Sequence, residues 1–467
     1  MISNKATFSA IELASIFGDS KLINFIEDQS VCGIVTDTRI IEKGNIFIAL
    51  IGEKFNGHDL VSQAFEKGAS ACVIEIKYSE NILQNFPEKS FIITDNNLDA
   101  LGKIANYHRR RFNFPVLGIA GSNGKTTTKE MAAAVLAKKY KVLKTFGNFN
   151  NKIGLPLMLL QFSEDYNFAV LEVGTNTPGE IYDLSKVSEP TDALITNIGK
   201  EHLEFLIDLD GVELEETYIF SAVRSGGHAF VNYDDERLKN YGHILSKFTT
   251  YGEHEHATIK CSYELNTKLN PRITVFKQDK TSYSFDMQTV GYASALNAIA
   301  AIAVGTHFDV KDSEIAEALS DFKPLEGESG YGRMAIFSKN NITIINDTYN
   351  SNPDSMKAAL KNIEMFKSDG LKIAALGDMR ELGESAFEEH QNTLKNALEV
   401  CDLIFVTGNE MSKAAEILKS DKIKVYEDKQ TLSNAIAASL KQNDCLLVKG
   451  SRGMQMEQIV NNLKEIL

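Results

Sequence analysis

A glycine-rich segment, GIAGSNGKTTT at residues 118–128, carries the strongest chemical signal in this sequence of 467 residues. It lies between an apolar stretch, FPVLGIAG, and a strongly helix-forming stretch, TTTKEMAAAVLAKKY. Glycines let backbone N–H groups turn inward around a polyphosphate, and a helix N-terminus adds a favourable dipole. Lys125 is expected to neutralise phosphate charge, and the Thr126 hydroxyl to hold Mg²⁺. The residues predicted to surround the phosphates are Gly121, Ser122, Asn123, Gly124, Lys125, Thr126 and Thr127.

The spacing of the glycines departs from the standard phosphate-loop pattern. Ile119 occupies the position five residues before Gly124, where that pattern has glycine, and glycines stand instead at 118, 121 and 124. The alternative interpretation is a plain structural turn. A GKT triplet between a buried strand and a strong helix nevertheless favours phosphate binding.

Two side chains that suit a metal ion follow predicted strands. Glu172 ends the strand in NFAVLEVG, and His202 follows the strand in DALITNIG. Because the carboxyl ends of parallel strands meet at one edge of a sheet, both are expected beside the phosphate loop. Together with Thr126 they are predicted to complete Mg²⁺ coordination. The alternative is an exposed strand end and an ordinary loop histidine.

Composition restricts the class of function. The chain has 63 acidic and 49 basic residues and a formal net charge of −14, which disfavours a nucleic-acid partner. No run of 18 apolar residues and no signal-peptide pattern is found, so no membrane insertion is expected. The cysteines are scattered and odd in number, which argues against a disulfide framework or zinc cluster and favours a reducing cytoplasm: Cys32, Cys72, Cys261, Cys401 and Cys445.

Hydrophobic patterning predicts an α/β protein with three domains. Residues 1–94 form a small mixed domain, with strands in VCGIVTDTR, NIFIALIG and ASACVIEI and a helix over 59–68. Residues 95–324 form a central P-loop domain with a parallel sheet, entered through an amphipathic helix in NNLDALGKIANYHRRRF and interrupted by a small antiparallel excursion near 253–290. Residues 325–467 alternate strand and helix as in a Rossmann-like, doubly wound domain. This C-terminal segment has no GxGxxG turn, so its sequence does not indicate that it binds a nicotinamide cofactor.

Several motifs in this order resemble those of the Mur ligases. The segment GIAGSNGKTTTKEM resembles the ATP loop of that family, and TDTR, GNIFIAL and FNGHD resemble its UDP-binding domain. GNFNNKIGLPLMLL, NDTYNSNPDSMKAAL, LGDMRELG and LVKGSRGM resemble the subgroup that adds D-alanyl-D-alanine. The resemblance covers nearly the whole chain. It implies that the three domains bind, in chain order, the UDP-linked substrate, ATP and the incoming dipeptide.

The resemblance implies an ATP-dependent, ADP-forming amide ligase of cytoplasmic peptidoglycan precursor synthesis. With ATP and Mg²⁺, it would join D-alanyl-D-alanine to UDP-MurNAc-tripeptide through an acyl phosphate, and the chain is expected to act as a monomer. Two alternatives stay open: a sister Mur or folylpolyglutamate-type ligase, and a non-catalytic Mur-like homologue that only binds nucleotide. A GTPase is disfavoured because no guanine-reading Asn-Lys-x-Asp stretch lies near a strand end.

The resemblance also assigns roles to polar residues outside the phosphate loop, although each could equally be an ordinary turn or surface group. Those implied to contact the nucleotide are Asn297, Arg333, Asp347 and Asn350. Those implied to contact the other substrates are Thr36, Asp37, Thr38, Arg39, Asn148, Asn150, Asn151, Tyr349, Asn352, Arg380 and Lys449.

The chain departs from the family pattern at two places. Where the family has a lysine that becomes carbamylated and bridges to the metal, this chain has Glu216. Our hypothesis is that Glu216 supplies the same carboxylate on a shorter stem and acts as a catalytic residue without CO₂; the alternative is that it is one carboxylate of a solvated ELEE face. Where the family commonly has His-Asn-x-x-Asn against the nucleotide, this chain has Ala293 and Ser294 before Asn297.

Overall fold

The computed structural model describes residues 3–243, 245–323, 332–367 and 369–467. Three α/β units follow one another along the chain, each built on its own sheet, so the predicted fold class is confirmed. The predicted boundary at 94/95 falls between a strand and a helix, whereas the one at 324/325 lies outside the described residues. No helix in the described part of the chain is long and apolar enough to cross a membrane.

The N-terminal unit is made of short, mostly buried strands and short helices. Its elements are β1 (Thr7–Ser9), α1 (Ala10–Phe17), β2 (Leu22–Ile23), β3 (Ser30–Cys32), β4 (Ile34–Val35), β5 (Ile46–Ile48), α2 (Val61–Glu66), β6 (Ala71–Glu75), α3 (Ile76–Asn85) and β7 (Ser90–Thr94). The sheet order is β2-β7-β6-β5-β4, parallel except for β2, while β1 and β3 form a separate antiparallel pair.

Two predictions for this unit need correction. The stretch VCGIVTDTR is not one strand, because it breaks at Gly33, whose φ of 87° is a left-handed conformation that favours glycine. Its TDTR part leaves the sheet as a 3₁₀ turn, Thr38–Ile40, capped by the Asp37 side chain. The helix predicted over 59–68 begins with another 3₁₀ turn, Gly57–Leu60, before the α-helical part.

The central unit contains a nine-stranded sheet covered by helices. Its elements are α4 (Asn97–Arg109), β8 (Val116–Ala120), α5 (Lys125–Leu136), β9 (Val142–Lys144), α6 (Gly154–Leu159), β10 (Phe168–Glu172), α7 (Glu180–Ser188), β11 (Asp192–Ile195), α8 (Leu203–Leu206), α9 (Leu209–Ser221), β12 (His228–Asn232), β13 (Phe248–Gly252), β14 (Ile259–Leu265), β15 (Pro271–Phe276), β16 (Ser282–Asp286), α10 (Tyr292–His307) and α11 (Asp312–Ser320).

The strand order of the central sheet is β16-β15-β14-β13-β12-β11-β8-β10-β9, parallel from β9 to β14. The predicted antiparallel excursion is confirmed: β15 pairs antiparallel with both β14 and β16, and β14 joins them to the parallel part of the sheet through β13. Helices α5 and α10 pack beside each other on the sheet, with Met131 and Val135 in the same apolar cluster as Ile302. This packing fixes the helix that follows the phosphate loop.

The C-terminal unit has the predicted alternation of strands and helices. Its elements are β17 (Ala335–Lys339), β18 (Ile342–Asp347), α12 (Pro353–Met365), β19 (Lys372–Gly377), α13 (Ala386–Val400), β20 (Leu403–Thr407), α14 (Asn409–Leu418), β21 (Ile423–Val425), α15 (Lys429–Ser439), β22 (Cys445–Lys449) and α16 (Glu457–Ile466). The sheet order is β17-β18-β22-β19-β20-β21, and only β17 is antiparallel to its neighbour. Because β22 returns between β18 and β19, a crevice is expected at the carboxyl ends of these strands.

A buried arginine holds the C-terminal end of helix α4 within the central unit. The guanidinium of Arg109 is fully buried and donates to the carbonyl oxygens of Ser188 at 2.8 Å, Glu189 at 2.9 Å and Phe112 at 2.8 Å. These bonds fix the end of α4 against the turn that precedes β11. The adjacent Arg110 is mostly exposed and pairs with the Glu189 carboxylate.

We expect Arg109→Met to lower the free energy of unfolding by on the order of 3 kcal/mol, because it leaves buried carbonyl oxygens without donors. Arg110→Met is the matched control and should cost less than about 1 kcal/mol, since its ion pair is exposed to solvent. Urea unfolding of both variants, followed by circular dichroism, measures the difference. Equal losses in the two variants would contradict the structural role of Arg109.

Candidate active site

A cavity of about 790 Å³ opens between the phosphate loop of the central unit and the facing loops of the C-terminal unit. Most of the side chains predicted to act in the site line it. They are Ser122, Asn123, Gly124, Lys125, Thr126, Thr127, Asn148, Asn150, Asn151, Glu172, His202, Asn297, Arg333, Asp347, Tyr349, Asn350, Asn352, Arg380 and Lys449. Gly121 and Glu216 are not among the residues that line this cavity, and neither are Thr36, Asp37, Thr38 and Arg39.

The phosphate loop is tightly enclosed by the next parallel strand and the segment after it. A Cβ at Gly121, where φ is 114°, would lie 2.3 Å from the Thr196 hydroxyl oxygen, so only glycine fits there. The Gly199 N–H donates to the Ser122 hydroxyl oxygen at 2.8 Å, and the Asn123 N–H donates to the Asn197 side-chain oxygen at 3.1 Å. The loop is therefore held open by the protein's own hydrogen bonds.

Lys125, the first residue of α5, is largely buried among carboxylates. Its Nζ lies 3.3 Å from Glu201 Oε2 and 3.9 Å from Glu216 Oε1. Burial by itself lowers the pKa of Lys125, but the surrounding negative charge, chiefly that of Glu201, outweighs it, so the pKa is raised. An ammonium group held at this position has the charge needed to stabilise a transferring phosphoryl group.

Glu216 lies directly behind the phosphate loop. Its side chain is fully buried, and its Oε2 accepts a hydrogen bond of 2.6 Å from the Gly121 N–H. The alternative that placed it on a solvated face is therefore wrong. In the ELEE run it is Leu214 that is exposed, while Glu215 is buried and accepts hydrogen bonds from the N–H groups of Gly179 and Ile181.

Glu201 completes a buried pair of carboxyl groups with Glu216. Burial chiefly raises the pKa of Glu216 well above its usual value, and the nearby negative charge of Glu201 raises it further. The pKa of Glu201 is lowered, because the charges of Lys125 and His202 outweigh the effect of its burial. These opposite directions make Glu216 the carboxyl group that keeps a proton and Glu201 the one that stays ionised.

Glu172 ends β10 and His202 precedes α8 in the segment after β11, and both line the cavity beside the phosphate loop. Glu172 Oε1 accepts from the Asn150 side-chain N–H at 2.8 Å, whereas its Oε2 is buried and has no hydrogen-bond partner among the described residues. His202 Nδ1 lies 2.6 Å from Glu381 Oε2, and its Nε2 lies 3.9 Å from Glu201 Oε2.

These groups fit Mg²⁺ bound together with a nucleotide. A buried carboxylate oxygen without a donor, as in Glu172, is a position where a cation would satisfy the group. No cluster of three or more His, Cys, Asp or Glu side chains suited to a metal occurs within the described ranges. Since Mg²⁺ usually keeps waters and substrate phosphates as ligands, one carboxylate and the Thr126 hydroxyl are a sufficient protein contribution.

The C-terminal unit contacts the phosphate loop across the cavity. Arg333 donates to the Thr126 hydroxyl oxygen at 3.0 Å, and its guanidinium carbon lies 3.5 Å from the centre of the Tyr349 ring. The Asn352 side-chain N–H donates to the Asn123 side-chain oxygen at 3.0 Å. These contacts place residues of the last unit beside the groups predicted to hold phosphate.

Lys449 and Asp347 form a buried ion pair on neighbouring strands of the C-terminal sheet. Lys449 Nζ lies 2.6 Å from Asp347 Oδ2 and donates to the Asn350 carbonyl oxygen at 2.9 Å. Asp347 Oδ1 also accepts from the Met334 N–H at 3.1 Å. The pair anchors the loop that carries Tyr349, so both residues position that loop as well as lining the cavity.

Other predicted residues have local structural partners. The Asn151 side chain begins α6 by accepting from the N–H groups of Ile153 and Gly154. Asn297 Oδ1 accepts from the Thr128 hydroxyl at 3.2 Å, which ties α10 to α5. Ser294, at the altered family position, donates its hydroxyl hydrogen to Thr289 Oγ1 at 2.6 Å.

The four residues of TDTR lie in the N-terminal unit, away from the lining of the cavity. Asp37 and Arg39 form a two-pronged ion pair with each other, with Arg39 Nη2 2.7 Å from Asp37 Oδ2. The Thr38 hydroxyl donates to the Gln63 side chain. The structure thus does not bring them to the phosphate loop.

Sequence reasoning missed three acidic residues of the cavity lining: Glu201, Asp354 and Glu381. The position of Glu201, one residue before His202, was the available signal. Asp354 accepts from the Lys200 N–H at 2.7 Å, and the Glu381 carbonyl oxygen accepts from the Glu204 N–H at 3.1 Å. Both contacts join the central and C-terminal units, so they could not be predicted without knowing how these two units pack against each other.

The raised pKa of Glu216 predicts a pH-dependent stability. The folded protein keeps a proton on Glu216 that the unfolded chain releases above its ordinary pKa of 4.5, so the free energy of unfolding falls as pH rises above 4.5 towards the raised pKa. Glu216→Gln is permanently neutral and should not share this decline. Urea unfolding at pH 5, 6.5 and 8 should therefore show that the free energy of unfolding of the variant increases relative to that of the wild type as pH rises. For the exposed control Glu204→Gln, the difference from the wild type should not change with pH. The same result for Glu216→Gln would contradict a buried, protonated carboxyl group.

Comparison with known proteins agrees with this geometry. Residues 119–305 match the Mur ligase middle domain, and residues 332–452 match the Mur ligase glutamate ligase domain. The UDP-N-acetylmuramoyl-tripeptide--D-alanyl-D-alanine ligase of Bacillus subtilis is 35% identical over 446 residues, 94% of each chain. The crystal structure of MurF from Acinetobacter baumannii superimposes with a TM-score of 0.88 and 28% identity, covering 99% of this chain and 100% of that one.

A second solved structure, the MurF ligase of Thermotoga maritima in complex with ADP, has a TM-score of 0.81 and 26% identity and covers 93% of this chain and 97% of that one. Similarity therefore extends through all three units and not only through the phosphate loop. On this combination of sequence identity, domain matches and full-length structural agreement, the chain belongs to the MurF group of the Mur ligase family.

Proposed function

We propose that this protein is an ATP-dependent, ADP-forming ligase that joins D-alanyl-D-alanine to UDP-MurNAc-tripeptide in peptidoglycan precursor synthesis. The observation that carries the proposal is the cavity itself. The phosphate loop with Lys125 forms one side, and the Arg333, Asn352 and Lys449 loops of the C-terminal unit form the other. A nucleotide and an acceptor amine can therefore meet in one enclosed space.

The chemistry follows from the free energy of amide formation. A carboxylate does not condense with an amine in water, so the terminal carboxylate of the tripeptide first attacks the γ-phosphorus of ATP. The bond between the β- and γ-phosphates breaks, ADP leaves, and an acyl phosphate forms. The amine of the dipeptide then attacks the acyl carbon, the amide bond forms, and inorganic phosphate and a proton leave. Closure of the units around the bound substrates would protect the acyl phosphate from water.

Lys125 and the phosphate-loop N–H groups act in the first step, the transfer of the phosphoryl group. They lie where charge accumulates on the transferring phosphoryl group, and stabilising that charge is the main contribution of a protein to phosphoryl transfer. Bound Mg²⁺ supplies further neutralisation of phosphate charge. Thr126, Glu172 and His202 are the residues that would hold it, with Glu172 Oε2 as the free carboxylate oxygen.

The three units divide the substrates among them. Residues 1–94, with Thr36 to Arg39, bind the UDP end; residues 95–324 bind ATP; residues 325–467 bind the dipeptide through Arg380, Tyr349 and Asn352. The paired Asp347 and Lys449 support the last of these sites. A single chain supplies the whole cavity, so we propose that the protein acts as a monomer, in the cytoplasm, where its UDP-linked substrate is made.

Glu216 stands at the sequence position of the carbamylated lysine, but it acts on the phosphate loop and not on the metal. Two observations support this: its carboxylate reaches both the Gly121 N–H and the neighbourhood of Lys125, and it is fully buried. A carboxylate that is part of the polypeptide needs no CO₂ to form. It supports the loop from behind, since it is not among the residues that line the cavity.

Phosphate release by the purified protein tests the function. With ATP, Mg²⁺, UDP-MurNAc-tripeptide and D-alanyl-D-alanine present, we expect release that stops when any one of the four is omitted. Lys125→Met should lower the rate on the order of 10²- to 10³-fold, because a positive charge on the phosphoryl group is lost. ATP binding without release under any of these conditions would instead identify a non-catalytic homologue.

The role of Glu216 has its own test. We expect Glu216→Gln to lower the rate of ligation about 10- to 100-fold, as is typical when a residue that positions a catalytic group is altered. The wild-type rate should not change when bicarbonate is added or removed, and Glu204→Gln serves as the control. Full activity of Glu216→Gln would refute this role.

A further inference from the structure

Lys129 is a second buried ammonium group near the phosphate loop, one turn along α5 from Lys125. Only 1% of its side chain is exposed. Its Nζ donates to the Thr145 carbonyl oxygen at 2.7 Å and lies 2.9 Å from Glu130 Oε1 and 4.0 Å from Glu172 Oε2. Burying a lysine is costly unless it is paired, and a packed apolar residue often replaces such a group without loss of stability. Packing alone therefore does not account for an ammonium group at this position.

The contacts of Lys129 lead to the candidate metal ligand Glu172 by two routes. Thr145, whose carbonyl oxygen Lys129 binds, accepts a hydrogen bond from the Glu172 N–H through its own hydroxyl at 2.9 Å. The ammonium also approaches the Glu172 carboxylate directly, at a distance longer than a hydrogen bond. Lys129 is thus connected to the Glu172 backbone through Thr145, and its ammonium group also lies near the Glu172 carboxylate.

The two oxygens of Glu172 are used differently. Oε1 accepts from the Asn150 side chain at 2.8 Å, while Oε2, the oxygen nearer to Lys129, is buried without a hydrogen-bond partner among the described residues. Glu130 Oε1, at 2.9 Å, is nearer to the Lys129 ammonium than Glu172 Oε2, at 4.0 Å. Burial alone raises the pKa of Glu130, but the charge of Lys129 and the bond from Lys144 outweigh it and lower the pKa, so Glu130 is the main counter-ion of Lys129.

We propose that Lys129 is a positioning residue for the divalent cation: it fixes Glu172 so that Oε2 stays free and directed for the metal, while Glu130 holds the ammonium away from that oxygen. The inference rests on the proposed function, because it presumes that a divalent cation binds with the nucleotide. It adds a residue of α5 that lies outside the cavity lining.

Binding of Mn²⁺ in the presence of ADP, measured by electron paramagnetic resonance, tests the proposal without relying on activity. We expect Lys129→Met to weaken Mn²⁺ binding at least about 10-fold, in line with the loss of a residue that orients a metal ligand. Simple removal of a nearby positive charge would tighten binding instead, so the sign of the change separates the two effects. Lys138→Met is the matched control: it pairs with Glu317 beyond the end of α5 and should change nothing.

Glu130→Gln keeps Lys129 but removes its counter-ion, and it gives an answer even if Lys129→Met fails to fold. The ammonium should then turn to Glu172 Oε2, and Mn²⁺ binding should again weaken several-fold while ADP affinity without metal stays unchanged. Unchanged or tighter Mn²⁺ binding in either folded variant overturns the role of Lys129. Failure of the wild-type protein to bind Mn²⁺ with ADP overturns the proposed function itself.

Discussion

Charge buried without water must be balanced by other charge, and this constraint shapes the structure around the phosphate loop. Lys125 and Lys129 bring two ammonium groups into the interior at the start of α5. Glu201, Glu216 and Glu172 surround the first, and Glu130 compensates the second. Because an unpaired buried ion costs several kcal/mol, none of these residues can be exchanged alone without affecting the others. The strand ends, α5 and α9 are held together by this network.

The same constraint explains how the phosphate loop is held by the rest of the protein. The Gly121 N–H, which points away from the cavity, is satisfied by Glu216, and the Ser122 hydroxyl is satisfied by the segment after β11. The loop is thus held by hydrogen bonds within the protein. A loop of this kind needs little reorganisation on binding, which is an advantage for electrostatic stabilisation of a transition state.

Sequence patterns predicted the loop, the strands beside it and the candidate metal ligands, because glycine spacing, apolar runs and strand ends are local features. They did not predict that Glu216 is buried: ELEE has the composition of a solvated face, and only contact with the Gly121 N–H and Lys125 makes an interior carboxyl tolerable. Pairing of Lys449 with Asp347 also required the sheet order, since the two residues are opposite each other only once β22 lies next to β18. The break of VCGIVTDTR depended on the backbone angle of one glycine.

Two bonds across the cavity have a consequence for ligand exchange. Arg333 donates a hydrogen bond to Thr126, and Asn352 donates one to Asn123. A bound nucleotide would also contact Thr126 and Asn123. Binding is then a substitution, in which contacts within the protein are given up as contacts with phosphate are made, so the affinity is the difference between two similar sets of bonds. When the spent nucleotide departs, the C-terminal unit can reclaim the loop, and the released product meets a surface that no longer offers its former partners.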